Sequence, residues 1–177
     1  MTRSWIGLGA NLGQPEENLA AALERLHRSE RVWVAEVSPA WWTPPWGVQD
    51  QPWYLNAVAA LDTSLDARAL LDLLLAVEAE LGRRRDGQRW GARAIDLDLL
   101  LHGDHVIDET DLTVPHPRIP ERAFVLVPLH AVAPTLTVPG HGRVDELLMA
   151  LDDSDIRAMQ PAGSLAFDPE SRPLEDS

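Results

Sequence analysis

Two hydrophobic periods alternate along this chain, and their order predicts strand–helix–strand followed by strand–helix–strand. Residues 4–9 read as a first strand that closes in Ala10-Asn11-Leu12-Gly13, a turn in which glycine makes a tight bend easy. The glycine spacing matches no nucleotide-binding fingerprint, so this turn reads as structural. Pro15 suits the first turn of a helix, Glu16 and Glu17 complement its dipole, and Leu19, Ala22, Leu23 and Leu26 form a stripe to be buried. That helix should end near Arg28. Residues 32–43 predict a second strand and residues 53–61 a third, well buried one. A second helix begins at Asp66, carries Leu70, Leu73, Leu74, Val77 and Leu81 at helical spacing, and ends at Gly82. After Gly103-Asp104, residues 105–108 predict a short edge strand. Residues 125–129 start a last strand or helical turn, and 145–151 a short helix. From Asp152 onward the chain is acidic and poor in large apolar groups, which predicts a largely disordered tail over 152–177 behind one domain over 1–151.

The stretch from Arg83 to Leu101 has two halves of opposite character. The first is a loop with Arg83, Arg84, Arg85, Arg89 and Arg93, two glycines and Trp90. The second reads as a strand in which Ile95, Leu97, Leu99 and Leu101 face one way while Asp96 and Asp98 face the other. Like charges side by side on a strand repel. A divalent cation between them reverses the sign of that interaction, and Mg²⁺ prefers carboxylate oxygens shared with phosphates. Guanidinium forks match phosphate oxygens, so arginines just before the pair favour a phosphate-rich substrate over a merely solvated acidic edge.

Composition sharpens this contrast. The formal net charge is -13, which disfavours nonspecific nucleic-acid binding and makes a basic cluster a local exception. The chain has no cysteine, which excludes disulfides and thiolate sites and fits a reducing cytoplasm. Its apolar runs fall far short of the roughly 20 residues that span a bilayer, and its first residues lack a secretion signal. We therefore expect a cytoplasmic, monomeric chain acting on small molecules, with no nucleic-acid or membrane partner.

Two further loops carry candidate chemistry. Thr43-Pro44-Pro45-Trp46-Gly47 opens a stiff connection flanked by Trp41, Trp42, Trp46 and Trp53. These rings either cap the core beneath the loop or line a flat slot for a planar heterocycle, with Asn56 and Thr43 supplying hydrogen bonds. Residues 112–124 form a rigid, proline-rich loop with His116, Arg118 and Arg122, placed for a second phosphate contact. Glu78, near the end of the second helix, either orients an arginine or is an ordinary exposed glutamate.

Three of these stretches together carry a resemblance. They are residues 38–56, with Thr43-Pro44-Pro45-Trp46-Gly47 and Tyr54-Leu55-Asn56; residues 82–101, with Arg89-Trp90-Gly91 and Arg93-Ala94-Ile95-Asp96-Leu97-Asp98; and residues 112–126, with Leu112-Thr113-Val114-Pro115-His116 and Arg122-Ala123-Phe124. The chain resembles the 6-hydroxymethyl-7,8-dihydropterin pyrophosphokinases of folate biosynthesis over roughly residues 4–150, in the family's order and spacing. The opening Gly7-Leu8-Gly9-Ala10-Asn11-Leu12-Gly13 agrees, with alanine where the family usually has serine.

The resemblance implies an α+β, ferredoxin-like fold with a mainly antiparallel sheet and packed helices. It implies transfer of pyrophosphate from ATP to the pterin hydroxymethyl group, with release of AMP. By the same resemblance Asp96 and Asp98 would hold two Mg²⁺ ions, and Arg83 and Arg93 would stabilise phosphate charge during transfer. Thr43, Pro45, Trp46, Tyr54, Asn56 and Phe124 would bind the pterin. Arg85 and Trp90, on a closing loop, would contact ATP, as would Thr113, His116 and Arg122; Leu71, Glu78, Leu99 and Leu112 would lie near the nucleotide. Trp46 stands where many relatives have an aliphatic residue, Asp111 where some carry arginine, and Pro117 where some carry tyrosine. A non-catalytic pterin or nucleotide binder and a Mg²⁺-dependent phosphotransferase with another acceptor are the competing classes. The intact aspartate pair disfavours the first, and the aromatic loop disfavours a sugar or protein acceptor.

Overall fold

The computed structural model describes residues 1–45, 50–82 and 94–170. Its centre is the strand pair β1 (Thr2–Ala10) and β4 (Tyr54–Thr63), antiparallel over nine residue pairs from Thr2↔Thr63 to Ala10↔Leu55. β5 (Asp96–His102) pairs with the other edge of β1, also antiparallel. The free edge of β4 is covered by β2 (Val32–Val37) and β3 (Ala40–Thr43) in succession. Helices α1 (Pro15–His27) and α2 (Ala67–Gly82) make the connections expected from the periodicity, giving the ferredoxin-like α+β arrangement. Both helices cover one face of the sheet, where Leu19, Leu23, Leu70 and Leu74 meet Ile6, Leu8, Leu61, Leu97 and Leu99 in one core. A second core lies on the opposite face, under α3 (Ala123–Val132) and α4 (Val144–Ala150), with Trp5, Val58, Leu100, Leu126 and Leu129. Covering both faces explains why β4 reads as an almost unbroken apolar run. Among the described residues, no helix is long and apolar enough to cross a membrane.

Three local expectations change, and one open alternative is decided. The single strand over 32–43 is broken at Ser38-Pro39, where proline has no N–H for the ladder. Ser38 compensates, donating its N–H to the Val58 carbonyl and accepting the Val58 N–H on Oγ, both at 2.9 Å. Leu101 does not share the face of Leu97 and Leu99. The register of β5 against β1 shifts between Trp5 and Ile6, so Leu100 and Leu101 both join the second core. The expected edge strand near 105–108 lies at Ile107–Glu109 (β6), and it pairs with β7 (Leu112–Val114) in a separate hairpin. Asp111 takes a left-handed φ of 62° in that hairpin's turn, a conformation aspartate tolerates better than most residues. The last apolar segment is a helix, α3.

The expected disorder from Asp152 onward does not hold for the described part. After the two-residue strands β8 (Thr137–Val138) and β9 (Gly142–Arg143), and after α4, the chain forms α5 (Asp153–Arg157). It then adds β10 (Gln160–Gly163) to the outer edge of β3. Leu165 and Phe167 pack against the helix-side core, and Phe167 meets the His27 ring edge-on at 5.7 Å. The buried His27 accepts the Val34 N–H on Nδ1 at 3.1 Å and donates from Nε2 to the Pro169 carbonyl at 2.9 Å. β10 escapes sequence patterning because all four residues are exposed; backbone pairing holds them, not side-chain burial. Residues 171–177 lie outside the described residues.

Candidate active site

The cross-strand register builds the site. Gly7 stands opposite Asp98, and Gly9 stands between Asp96 on β5 and Asn56 on β4. Residues directly opposite in an antiparallel ladder share a face, so these side chains all point to the side of the sheet that carries α3. The two glycines contribute none, and a trough opens between Asn56 and the aspartates. This trough is the floor of a cavity of about 630 Å³. One wall is Thr43, Pro44 and Tyr54 with Gln51 at its edge; the other is His116, Arg118, Glu121, Arg122, Phe124 and Val125.

Each wall is held from below. Asn56, buried to 7% exposure, donates from Nδ2 to Thr43 Oγ1 at 2.7 Å. Its Oδ1 lies so close over Gly9 that a Cβ there would approach within 2.9 Å. The pair thereby offers an acceptor oxygen and a hydroxyl proton towards the cavity, the complementary set a heterocyclic amide edge needs. On the far wall the His116 N–H bonds the Leu100 carbonyl at 2.9 Å, tying the loop to β5. His116 Nδ1 accepts the Arg118 N–H at 3.2 Å, so the neutral ring carries its proton on Nε2. Burial lowers the His116 imidazole below its ordinary range; the charges of Arg122 and Arg118 push the same way and Asp98 opposes them. The ring is therefore a neutral donor at pH 7. Arg122 faces Asp98 at 3.6 Å and lies over the Phe124 ring, 5.4 Å from its centroid.

The donor set fits a hard divalent cation in one particular way. Asp96 and Asp98 stand on one face, about 7 Å apart along the strand, above glycines that leave room for a ligand. Among the described residues no group of three or more carboxylate, imidazole or thiolate side chains forms a closed cage. Two carboxylates and open positions suit Mg²⁺ completed by phosphate and water oxygens.

Of the candidate pterin residues, Thr43, Tyr54, Asn56 and Phe124 come together in the cavity. Pro44 lines it in place of Pro45, and Trp46 lies outside the described residues. The tryptophan slot is not formed by Trp41, Trp42 or Trp53. Trp42 packs on the helix-side core, Trp53 is exposed, and besides the His116 imidazole the described aromatic rings of the cavity are Tyr54 and Phe124. Of the nucleotide candidates, His116 and Arg122 line the cavity. Leu99 and Leu112 are buried in the helix-side core with Leu71 against it, and Thr113 is exposed on β7. Glu78 is half-buried and accepts the Leu97 N–H on Oε1 at 2.9 Å, a role its sequence context does not disclose. Arg83, Arg85, Trp90 and Arg93 lie outside the described residues. Sequence reasoning missed Gly7, Gly9, Gln51, Glu121 and Val125, and it named Arg118 only as one of the two arginines of its loop. The glycines had a signal: two of them, two residues apart on a strand, opposite two aspartates at the same spacing.

Comparisons with known proteins bear on the family of the chain. The sequence model described as 7,8-dihydro-6-hydroxymethylpterin-pyrophosphokinase (HPPK) matches residues 5–134. The 2-amino-4-hydroxy-6-hydroxymethyldihydropteridine pyrophosphokinase of Methylorubrum extorquens is 44% identical over 160 residues, covering 90% of this chain and 100% of the relative. The enzyme of the same name from Pseudomonas aeruginosa is 46% identical over 148 residues, covering 84% of this chain and 91% of that one. Among solved structures, wild-type Plasmodium falciparum HPPK-DHPS matches with a TM-score of 0.65 at 11% identity, covering 84% of this chain and 44% of that one. The same protein with pteroate matches with a TM-score of 0.67 at 12% identity, covering 84% and 42%. The chain thus spans less than half the length of those structural neighbours, and at such identities the likeness speaks to the fold alone.

Proposed function

The chain belongs to the 7,8-dihydro-6-hydroxymethylpterin-pyrophosphokinase family, and from its cavity we infer how it performs that family's reaction. The reaction transfers pyrophosphate from ATP to the hydroxymethyl group of 6-hydroxymethyl-7,8-dihydropterin, releasing AMP, in folate biosynthesis. The observation that carries the inference is the floor of the cavity, where Asp96 and Asp98 face the Gly7–Gly9 trough between an amide-and-ring wall and a cationic wall.

The acceptor lies against the first wall. Asn56 Oδ1 and the Thr43 hydroxyl read the donor and acceptor pattern of the pterin edge, while Tyr54 and Phe124 supply faces for the ring. Their shared anchoring on β3, β4 and the start of α3 fixes the acceptor oxygen relative to Asp96 and Asp98. Holding reactants at a set separation is a large part of phosphoryl-transfer catalysis. Asp96 and Asp98 would hold the two Mg²⁺ ions of this reading, whose chemistry would be neutralisation of phosphate charge during transfer. Arg122 and the Nε2–H of neutral His116 bind phosphate oxygens from the second wall. Arg83, Arg85, Trp90 and Arg93 complete the phosphate contacts in this reading.

The nucleotide base is proposed to lie along the outer edge of β5, between α2 and β7. The Leu97 N–H turns outward to Glu78, and strand alternation turns the Leu99 backbone the same way. Leu71, Glu78, Leu99, Leu112 and Thr113 border that edge. The reading also has the enzyme acting as a monomer in the cytoplasm, which light scattering on the purified protein and cell fractionation check.

The deciding experiment mixes the protein with ATP, Mg²⁺ and 6-hydroxymethyl-7,8-dihydropterin and follows AMP. AMP that requires both pterin and metal supports the reading, whereas ADP, or no nucleotide product, overturns it. Asp96→Ala and Asp98→Ala should each lower turnover about 100-fold or more, and EDTA should abolish it. Normal Mg²⁺-dependent turnover in the double variant would sink the metal assignment.

A further inference from the structure

Resting on that reading, we propose that Arg118 is an additional phosphate-binding residue of this site, one that exchanges a weak carboxylate partner for phosphate oxygens when a polyphosphate enters. Arg118 lines the same cavity as Asp96, Asp98 and Arg122. Its backbone is fixed: the residue lies between Pro117 and Pro120, and the next side chain, Ile119, is fully buried. The Arg118 N–H is spent on His116 Nδ1, and its carbonyl accepts the Glu121 N–H at 3.1 Å in the short turn Ile119–Glu121. The side chain, in contrast, is 59% exposed.

The two arginines of this wall differ in what holds them. Arg122 is 21% exposed, faces Asp98 and lies over Phe124. Arg118 faces Glu121 with Nε 3.6 Å from Oε2, longer than a hydrogen bond, and that carboxylate is 67% exposed. An ion pair this open and this long contributes little to folding, so breaking it costs little. A guanidinium on a rigid backbone, beside a cavity floored by two carboxylates and, among the described residues, facing an exchangeable carboxylate, is prepared for an anion with several oxygens. The ligand class is a phosphate ester or anhydride, either the entering nucleotide triphosphate or the pyrophosphorylated pterin.

The alternative is a purely structural pair that stiffens the turn, and the two are separable. The test measures calorimetric binding of α,β-methylene ATP with Mg²⁺, of the pyrophosphorylated pterin, and of the phosphate-free 6-hydroxymethylpterin. The proteins are the unaltered chain, Arg118→Ala, Arg118→Lys and Glu121→Gln. Arg118→Ala should weaken a phosphate-bearing ligand about tenfold or more, the scale of one charge-assisted bond, and leave the phosphate-free pterin unchanged. Lysine should recover part of the loss, and Glu121→Gln should bind the phosphate ligand as tightly or more tightly. A loss confined to α,β-methylene ATP assigns the contact to the nucleotide; a loss confined to the pyrophosphorylated pterin assigns it to the product. Unchanged affinity for both, or an equal loss for the phosphate-free pterin, overturns the proposal. If the unaltered chain makes no AMP and binds no α,β-methylene ATP, it is the underlying reading that fails instead.

Discussion

Replacing Gly9 and Gly7 by alanine, one at a time, tests whether the trough between Asn56 and the aspartates is a steric design. Both glycines lie on β1, two residues apart, on the same face. A Cβ at Gly9 would sit 2.9 Å from Asn56 Oδ1, about 0.5 Å inside the roughly 3.4 Å at which ordinary contact begins. Asn56 must then move, and its 2.7 Å bond to Thr43 Oγ1 stretches or breaks in a buried setting. Losing that bond costs about 1 kcal/mol, and leaving the amide unsatisfied about 1–3 kcal/mol. Removing a glycine from a strand returns about 0.5–1 kcal/mol. The expected net is a destabilisation of about 1–3 kcal/mol. At Gly7 the added Cβ would meet Leu100 Cδ1 at 3.7 Å, Leu100 Cδ2 at 3.8 Å and Asp98 Cβ at 3.9 Å, which are ordinary contacts. Only the backbone gain remains, so Gly7→Ala should be about 0.5–1 kcal/mol more stable. Urea unfolding of the three proteins reads both signs. Calorimetric titration with 6-hydroxymethylpterin should show weaker binding to Gly9→Ala, whose displaced Asn56 no longer presents Oδ1 correctly. Equal unfolding midpoints for the two variants would refute the steric argument, and undiminished pterin affinity in Gly9→Ala would refute the role given to Asn56.

Two further outcomes concern the fold around the site. Phe167→Ala should lower stability by about 1 kcal/mol, because its ring is half-buried against His27 and the helix-side core; deleting residues 164–177 should cost more by also removing the Pro169 carbonyl from His27. An unchanged urea midpoint in the shortened chain would show that this segment is not packed in solution. His102 is 2% exposed, bonds Ser4 through Nδ1 at 2.7 Å, and has its pKa lowered from 6.5 by burial, then by neighbouring His105, with Asp66 opposing. The unfolded chain therefore binds the extra proton first, and stability is full above about pH 6.5 and falls as pH drops towards the lower folded value. His116 has the same sign. The loss between about pH 8 and about pH 5.5 should shrink in His102→Gln, and an identical loss in the variant would refute the assignment.

The aspartate pair was legible because its signal is local. A period of two puts Asp96 and Asp98 on one face whatever the rest of the chain does, and the adjoining arginines made a phosphate reading economical. The same holds for α1 and α2, whose stripes, proline start and glycine stop lie within single segments. Pattern failed where a partner strand decided the outcome. Leu101 changes face because of a shift of register against Trp5 and Ile6, and β10 forms only because β3 has an edge to offer. The tryptophan-rich loop suggested an aromatic slot, yet Tyr54 and Phe124, two described rings that meet in the cavity, are 70 residues apart. No local window contains that pair.

What the sequence determined by itself was therefore the set of elements, the carboxylate pair, and the family its motifs resemble. The tertiary structure alone decided which glycines make the trough, which wall holds the amide and which the cations, and that the acidic end returns to cover an edge strand. The physical reason is that side-chain periodicity and turn chemistry are short-range properties of the backbone. A cavity is a long-range one: it exists where side chains from separate segments are held apart, and here the residues that keep it open are the ones with no side chain at all.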